Sequence, residues 1–447
     1  MTAKYTPTSV AKAVRLWTCA AGASLALAWP AAQAQSLVEL YEAARNYDAT
    51  FLAARAQFEA DQAKAAQGRA AWRPTVGISA GKSRTETDNL PGKTESSNVT
   101  LLATQPIIRA ANFIGAAQSE KSRAVAASKL TAAEQDLIVR TARTYFDVLA
   151  ARDNLAFVKA QKEAVGQQLA AAKRNFEVGT STITDSREAQ ARFDLVVAQE
   201  IAADNELQIK TLALKQLVGR NDLNPFQLDA STGLPQVEQA TLDNWIARAL
   251  EQSPQVLMAE VGYDIAQLET RKAQASHLPT LDVFARKVQS KGPNNATPPV
   301  VQRRPDTTTI GIEFNLPLYS GWATQNRVSE AVALEDKSRN DLEGARRAAT
   351  QLTREAYLGL IAGQGQVRAL EAAEASSQSA LEANRLGYQV GVRINIDVLN
   401  AQSQLFETKA KLAKARFDYL VGTLRLKQAV GTLTPEDLQP INALLKP

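Results

Sequence analysis

The segment Arg174-Asn175-Phe176-Glu177-Val178-Gly179-Thr180-Ser181-Thr182-Ile183-Thr184-Asp185 returns, altered but in register, as Leu386-Gly387-Tyr388-Gln389-Val390-Gly391-Val392-Arg393-Ile394-Asn395-Ile396-Asp397. The offset of 212 residues holds without a gap from Tyr145 on Tyr357, through Leu169 on Leu381, to Val218-Gly219 on Val430-Gly431. Upstream it is 205 for Leu37 on Leu242 and Pro74 on Pro279, then 211 for Pro106 on Pro317. Self-similarity of this kind marks a duplicated architecture. The chain reads as a first repeat over 35–220, a linker over 221–240, a second repeat over 241–431 and a C-terminal segment over 432–447.

Within each repeat the periodicity changes. Leu130, Leu137, Tyr145, Val148, Leu155, Val158, Val165 and Leu169 follow helical spacing close to a heptad, and Leu342, Tyr357, Leu360, Val367, Leu370 and Leu381 repeat it. No proline falls between Pro106 and Gly179, or between Pro317 and Gly391. A continuous helix over such a span reaches on the order of 100 Å, which predicts a rod or tube.

Between the paired prolines the period becomes two. Ile310, Ile312, Phe314 and Leu316 alternate with Gly311, Glu313 and Asn315, and weaker alternation predicts strands at 75–84, 98–105 and 280–289. Each is about the length that a tilted strand needs to cross a bilayer. Polar loops over 85–97 and 290–305 join them. The pattern fits a membrane β-barrel or two soluble hairpins capping a helical rod. Lipid does not tolerate unpaired strand edges, and four strands cannot enclose a channel, so a barrel requires several copies of the chain. Trp72, Phe113, Tyr319 and Trp322 lie just outside the strands, where an interfacial aromatic belt is expected.

Composition excludes most catalytic chemistry. The 447 residues hold one His and one Cys, too few for a hydrolytic triad, a zinc site or a disulfide framework. His277, alone beside Leu278-Pro279, reads as a packed or interfacial residue. Gly363 and Gly365 lie inside a helical pattern, the wrong context for a phosphate loop. Lys4, Lys12 and Arg15 precede an apolar stretch from Leu16 to Trp29, and Ala32-Gln33-Ala34 supplies small residues at a cleavage spacing, so 1–34 reads as a signal peptide. Its removal takes the only cysteine, Cys19, and three of the 51 basic residues, leaving 48 against 46 acidic groups. That near balance gives no argument for nucleic acid.

The assembled pattern resembles the TolC family of outer membrane efflux proteins over essentially the whole mature chain. The resemblance is carried by Leu37 to Ala44, by the strand starts Arg73-Pro74-Thr75 and Leu278-Pro279-Thr280-Leu281, by Leu316-Pro317-Leu318-Tyr319-Ser320-Gly321, and by the two turns quoted above with Val398-Leu399. It implies a mainly α fold with a membrane β-barrel: a homotrimer in which four strands per protomer form a 12-stranded barrel, continued by a long periplasmic α-helical barrel. It further implies a passive exit duct in the outer membrane for small molecules or secreted proteins, without enzymatic activity or cofactor. Its partners would be a periplasmic adaptor and an inner membrane pump of RND or ABC type. A non-channel periplasmic or surface scaffold is the alternative.

Specific positions follow. Gly179 and Gly391 interrupt helices as glycine does at left-handed helix ends, and Thr182 or Thr184, and Asn395, offer oxygens suited to starting the next helix. The resemblance makes Val178, Gly179, Thr180, Val390, Gly391 and Val392 adaptor-contact tips. It implies a periplasmic gate of Asp185, Thr184, Tyr388 and Arg393 tying inner helices to outer ones. It also implies an acidic ring of Asp397 facing the pore, with Asn400 where many relatives carry a second acid.

Overall fold

The computed structural model describes residues 35–86, 93–228, 233, 235, 241–293, 302–303 and 306–446. The predicted signal segment, 1–34, lies outside them, as does most of 229–240.

The duplication is reproduced element by element. Helices α1 (Leu37–Tyr47) and α2 (Ala49–Ala70) lead into β1 (Thr75–Glu86) and β2 (Lys93–Ile108), followed by α3 (Ala110–Glu177) and α4 (Ile183–Val218). After a short β3 (Gln227–Leu228), the second repeat gives α5 (Leu242–Gln252), α6 (Pro254–Gln274), a 3-10 turn (Ala275–His277), β4 (Thr280–Pro293), β5 (Gln302–Arg303) and β6 (Asp306–Asn315). Helices α7 (Ala323–Gln389) and α8 (Asn395–Val430) complete it, and α9 (Leu438–Asn442) and β7 (Leu445–Lys446) follow. Helices α4 and α8 begin and end 212 residues apart, the offset read from the sequence.

Local chemistry sets the helix starts. Ser36 accepts a hydrogen bond from the Glu39 amide (3.1 Å), Asp48 accepts one from the Phe51 amide (2.8 Å), and Pro254 occupies the first position of α6. Helix α3 runs 68 residues and α7 runs 67. Their Ala-rich surfaces pack along several partners: α3 lies on α2 and α6 toward its start and on α4 and α8 farther along. Tertiary packing of this kind, more than helix propensity, stabilises a long helix.

The main core lies midway along α3, where α1, α4, α8 and α9 converge on Leu137, Ile138, Tyr145, Phe146 and Leu149. The Phe146 ring stacks on Phe417 with centroids 5.5 Å apart. Burying each such ring contributes roughly 1.5–3 kcal/mol. The Tyr145 hydroxyl donates to the Phe226 carbonyl at 3.0 Å, so the post-α4 segment is fastened to the same core. Arg140 donates twice to the buried Asp48 carboxylate, at 2.9 and 3.0 Å. The C-terminal segment returns to this region through β7, which pairs antiparallel with β3.

The four long strands form one antiparallel sheet in the order β1-β2-β4-β6, with β5 beside the far end of β4. They are longer than the alternation predicted: 93–97 and 290–293 are strand, not loop, and β6 starts at Asp306 but stops before Leu316. The extra length is polar, paired through contacts such as Ser83 with Ser96 (2.7 Å) and Lys82 with Glu95 (3.0 Å), which a search for apolar alternation does not detect.

Candidate functional site

The sheet register fixes which side chains share a face, because directly opposed residues project to the same side. Twelve residues meet on one face: Val76, Ile78 and Ala80 on β1, Val99, Leu101 and Ala103 on β2, Leu281, Val283 and Ala285 on β4, and Ile310, Ile312 and Phe314 on β6. All twelve are apolar, yet Val76 is 71% exposed, Ile78 74% and Ile310 76%. An apolar face of this extent left open in one chain needs lipid or protein against it. The opposite face is mostly Thr, Ser, Gly and Asn, with Arg286 set 5.9 Å over the Phe284 ring, which itself covers Gly311. Edges β1 and β6 have no outer partner among the described residues. Trp72, Phe113, Tyr319 and Trp322 are all exposed beside the helix-proximal ends of the strands.

At the far ends of the long helices lie the two turns. Gly179 and Gly391 adopt φ of +77° and +79°, a region that costs a residue bearing Cβ roughly 1–2 kcal/mol. The flanking hydrogen bonds are duplicated: Thr180 N donates to Asn175 O (2.8 Å) and Val392 N to Gly387 O (2.9 Å). Both turns push apolar side chains outward, with Val178 72% and Val392 75% exposed, and Val390 and Thr180 also exposed. Exposed Ile183, Leu386 and Ile394 extend this apolar rim, and the sequence reading passed over them because they fall within helical or turn segments.

The expected gate set is not joined within one chain. Asp185 is the third residue of α4 and closes a capping box: Thr182 accepts from the Asp185 amide, and the Asp185 carboxylate accepts from Ser181 Oγ (2.7 Å), Thr182 Oγ1 (2.9 Å) and Thr182 N (3.2 Å). The Ser181 hydrogen bond, followed by those from Thr182, holds the carboxyl below its ordinary value. These nearby donors occupy it, so it does not reach Tyr388 or Arg393. The Tyr388 hydroxyl instead accepts from Asn175 Nδ2 at 3.3 Å. The Arg393 stem lies over Gly387, with its guanidinium 3.7 Å from Asp397. Thr184 is exposed and makes no hydrogen bond to Arg393.

Of the two threonines expected to start α4, Thr182 is the cap. One further expectation is corrected. Asn395 is not a cap: Ile394 precedes α8, and Asn395, 3% exposed, accepts from Gln168 Nε2 on α3. Asn400 is exposed and accepts from Arg192 on α4 at 3.0 Å, an arginine the sequence reading did not single out.

These contacts belong to a regular seam. On α3, Val158, Gln161, Val165, Gln168, Ala172 and Asn175 are separated alternately by three and four residues, giving one small apolar and one amide position per heptad. Each amide donates to the second repeat: Gln161 to Ser403 (3.2 Å), Gln168 to Asn395, and Asn175 to Tyr388 (3.3 Å). Tracking apolar residues alone missed this seam, although the seven-residue spacing of 161, 168 and 175 was its signal.

Among the described residues no group of His, Cys, Asp and Glu is placed to hold a metal ion, and no helix is long and apolar enough to cross a membrane. His277 is exposed in the 3-10 turn before β4.

Comparison with known proteins agrees with this geometry. The family model described as outer membrane efflux protein matches residues 40–220 and 245–432, the two repeats. Outer membrane protein TolC of Vibrio cholerae is 33% identical over 413 residues, covering 92% of this chain and 94% of that protein. The alkaline protease secretion protein AprF of Pseudomonas aeruginosa is 30% identical over 443 residues, covering 96% and 91%. Among solved structures, the CmeC outer membrane channel of Campylobacter jejuni superposes with a TM-score of 0.76 at 18% identity, covering 97% of this chain and 98% of that one. A match to both repeats, with relatives spanning nearly the full length, places the chain in the outer membrane efflux protein family, as an exit duct through the outer membrane and not an enzyme.

Proposed function

We propose that three copies of this chain close a 12-stranded barrel in the outer membrane, continued by a helical tube across the periplasm, and that this duct passively passes small molecules or secreted proteins. The observation that carries the proposal is the sheet: one face with a band of twelve apolar residues, one polar face and, among the described residues, two open edges, β1 and β6. Four strands per chain and an unsatisfied edge at each side require neighbouring copies in lipid. The helices agree, since α4 exposes Leu195, Ile209 and Leu212, and α7 exposes Leu334, Leu352 and Leu358. Energy comes from an inner membrane pump of RND or ABC type, reached through a periplasmic adaptor that docks on the apolar rim at Val178, Thr180, Val390 and Val392. Residues 1–34 direct export and are removed, and the segments 35–220 and 241–431 act as the two building units.

The mouth at the turns is the gate. Asp185, Thr184, Tyr388 and Arg393 surround it, and the in-chain restraint is the amide seam from α3 to α7 and α8, joined by Arg192 to Asn400. Asp397 supplies a ring of three carboxylates around the axis. The test of assembly is the mass of the protein in mild detergent and in lipid. A stable trimer is expected, and a stable lipid-embedded monomer contradicts the proposal.

A further inference from the structure

The face that carries the apolar band changes character at the hairpin end. After Ala80, the same-face residues of β1 are Lys82 and Arg84; after Ala285, those of β4 are Lys287, Gln289 and Lys291. The register sets Lys82 and Lys291 on either side of Ser97 of β2. Neighbouring strands lie about 4.8 Å apart, so the two lysine backbones are roughly 10 Å from each other with a hydroxyl between them. Lys287 lies four residues from Lys291 along β4, at the edge of the apolar band, flanked across the strands by Leu101 and Thr308.

Acidic groups on this face do not cancel the charge. Glu95 lies 3.0 Å from Lys82 and 3.9 Å from Arg84 and offsets Lys82 first, Glu86 shares the face opposite Lys93, and Asp306 accepts from Gln289 at 3.1 Å, so Lys287 and Lys291 remain in excess. Lys287 and Lys291 are exposed and form no ion pair among the described residues. The other end of the band differs, since exposed Trp72, Phe113, Tyr319 and Trp322 gather there. A lipid-facing band with aromatics at one end and cations at the other suits a bilayer whose two headgroup layers differ in charge. Both strand pairs return to helices at the aromatic end, so the cationic end is the outer one if the helices lie in the periplasm.

We propose that Lys287 and Lys291, with the Ser97 hydroxyl, bind the phosphate groups of a phosphorylated glycolipid in the outer leaflet. Basic side chains beside a lipid surface attract anionic headgroups, and lysine engages phosphate as a point charge. The site rests on the outer membrane reading and adds a lipid ligand to it, one per chain.

The test reconstitutes the full-length protein in phosphatidylcholine vesicles containing bis-phosphorylated lipid A and measures retained lipid by native mass spectrometry. The parent retains lipid A against a tenfold molar excess of dephosphorylated lipid A or phosphatidylglycerol. Lys287→Gln with Lys291→Gln lowers retention by about 25-fold, roughly fivefold per lysine. Lys287→Arg with Lys291→Arg keeps it, as does Lys337→Gln on α7. Parent-like retention by the Gln double variant, or equal displacement by phosphatidylglycerol, overturns the site while leaving the duct intact. Failure of the parent to insert overturns the site together with the outer membrane reading.

Discussion

Replacing Gln168 by Met keeps the length of the side chain and removes the donor that α3 offers to Asn395 at the start of α8. Asn395 is 3% exposed, so its amide oxygen is left buried without a partner, which costs about 1–3 kcal/mol. If three chains hold one mouth, the closed state loses about 3–9 kcal/mol, and even the lower figure moves the closed-to-open balance by more than about a hundredfold. The Gln168→Met channel should therefore show a raised mean conductance in planar bilayers, with the trimer intact. Adding Asn395→Leu removes both partners together, an exchange that is close to neutral in a buried seam, and should return conductance toward the parent value. A single variant that conducts like the parent, or a double variant as open as the single, refutes the seam as the restraint.

The other sites give further expectations. Gly179→Leu or Gly391→Leu should reduce export at least as strongly as it affects stability, because the left-handed turn is strained by roughly 1–2 kcal/mol and the apolar rim is displaced; export assays with trimers quantified in the outer membrane check this. Tyr388→Phe with Arg393→Ser should raise conductance through loss of the Asn175 contact and the Arg393–Asp397 pair, and unchanged current counts against both. Asp397→Asn should weaken cation selectivity measured by reversal potential, whereas Asn400→Asp should change it little unless Arg192 is also replaced, because Arg192 sits 3.0 Å away to neutralise the new carboxylate. The Asp185 carboxyl is held below its ordinary value by Ser181 and Thr182, so its cap contributes stability above the usual carboxylate range and loses it as pH falls through the lowered value. Amide protection at the start of α4, taken relative to the intrinsic exchange rate at each pH, should fall on that acidification in the parent and stay constant in Asp185→Asn.

Much of the architecture is written at the scale of single residues. The gapless offset from 145 to 219 fixes two helix pairs because each helix end depends on a local signal, Gly179 and Gly391 at the turns and Gly219 and Gly431 at the far ends, all with positive φ. The strands were legible where Ile310, Ile312 and Phe314 alternate, and the polar extension at 93–97 was not, because Glu95 and Ser96 find their partners in Lys82 and Ser83 on the next strand without an apolar face. The tip positions were legible for the same local reason. The gate contacts were less so, since they join residues more than 200 apart: nothing near Gln168 states that Asn395 will face it, and nothing near Asn400 states that Arg192 will. Asp185 shows the converse, a residue whose place in the chain was correctly singled out but whose carboxylate is claimed by donors three and four residues away.

The central claim is that this chain forms a passive exit duct, and the current through purified protein in a planar lipid bilayer tests it most directly. The open-edged sheet with its apolar outer face predicts stable insertion and discrete steps of current from one trimeric species, increased by Gln168→Met. A protein that stays soluble and never inserts, or inserts without conducting even when the seam is broken, contradicts it.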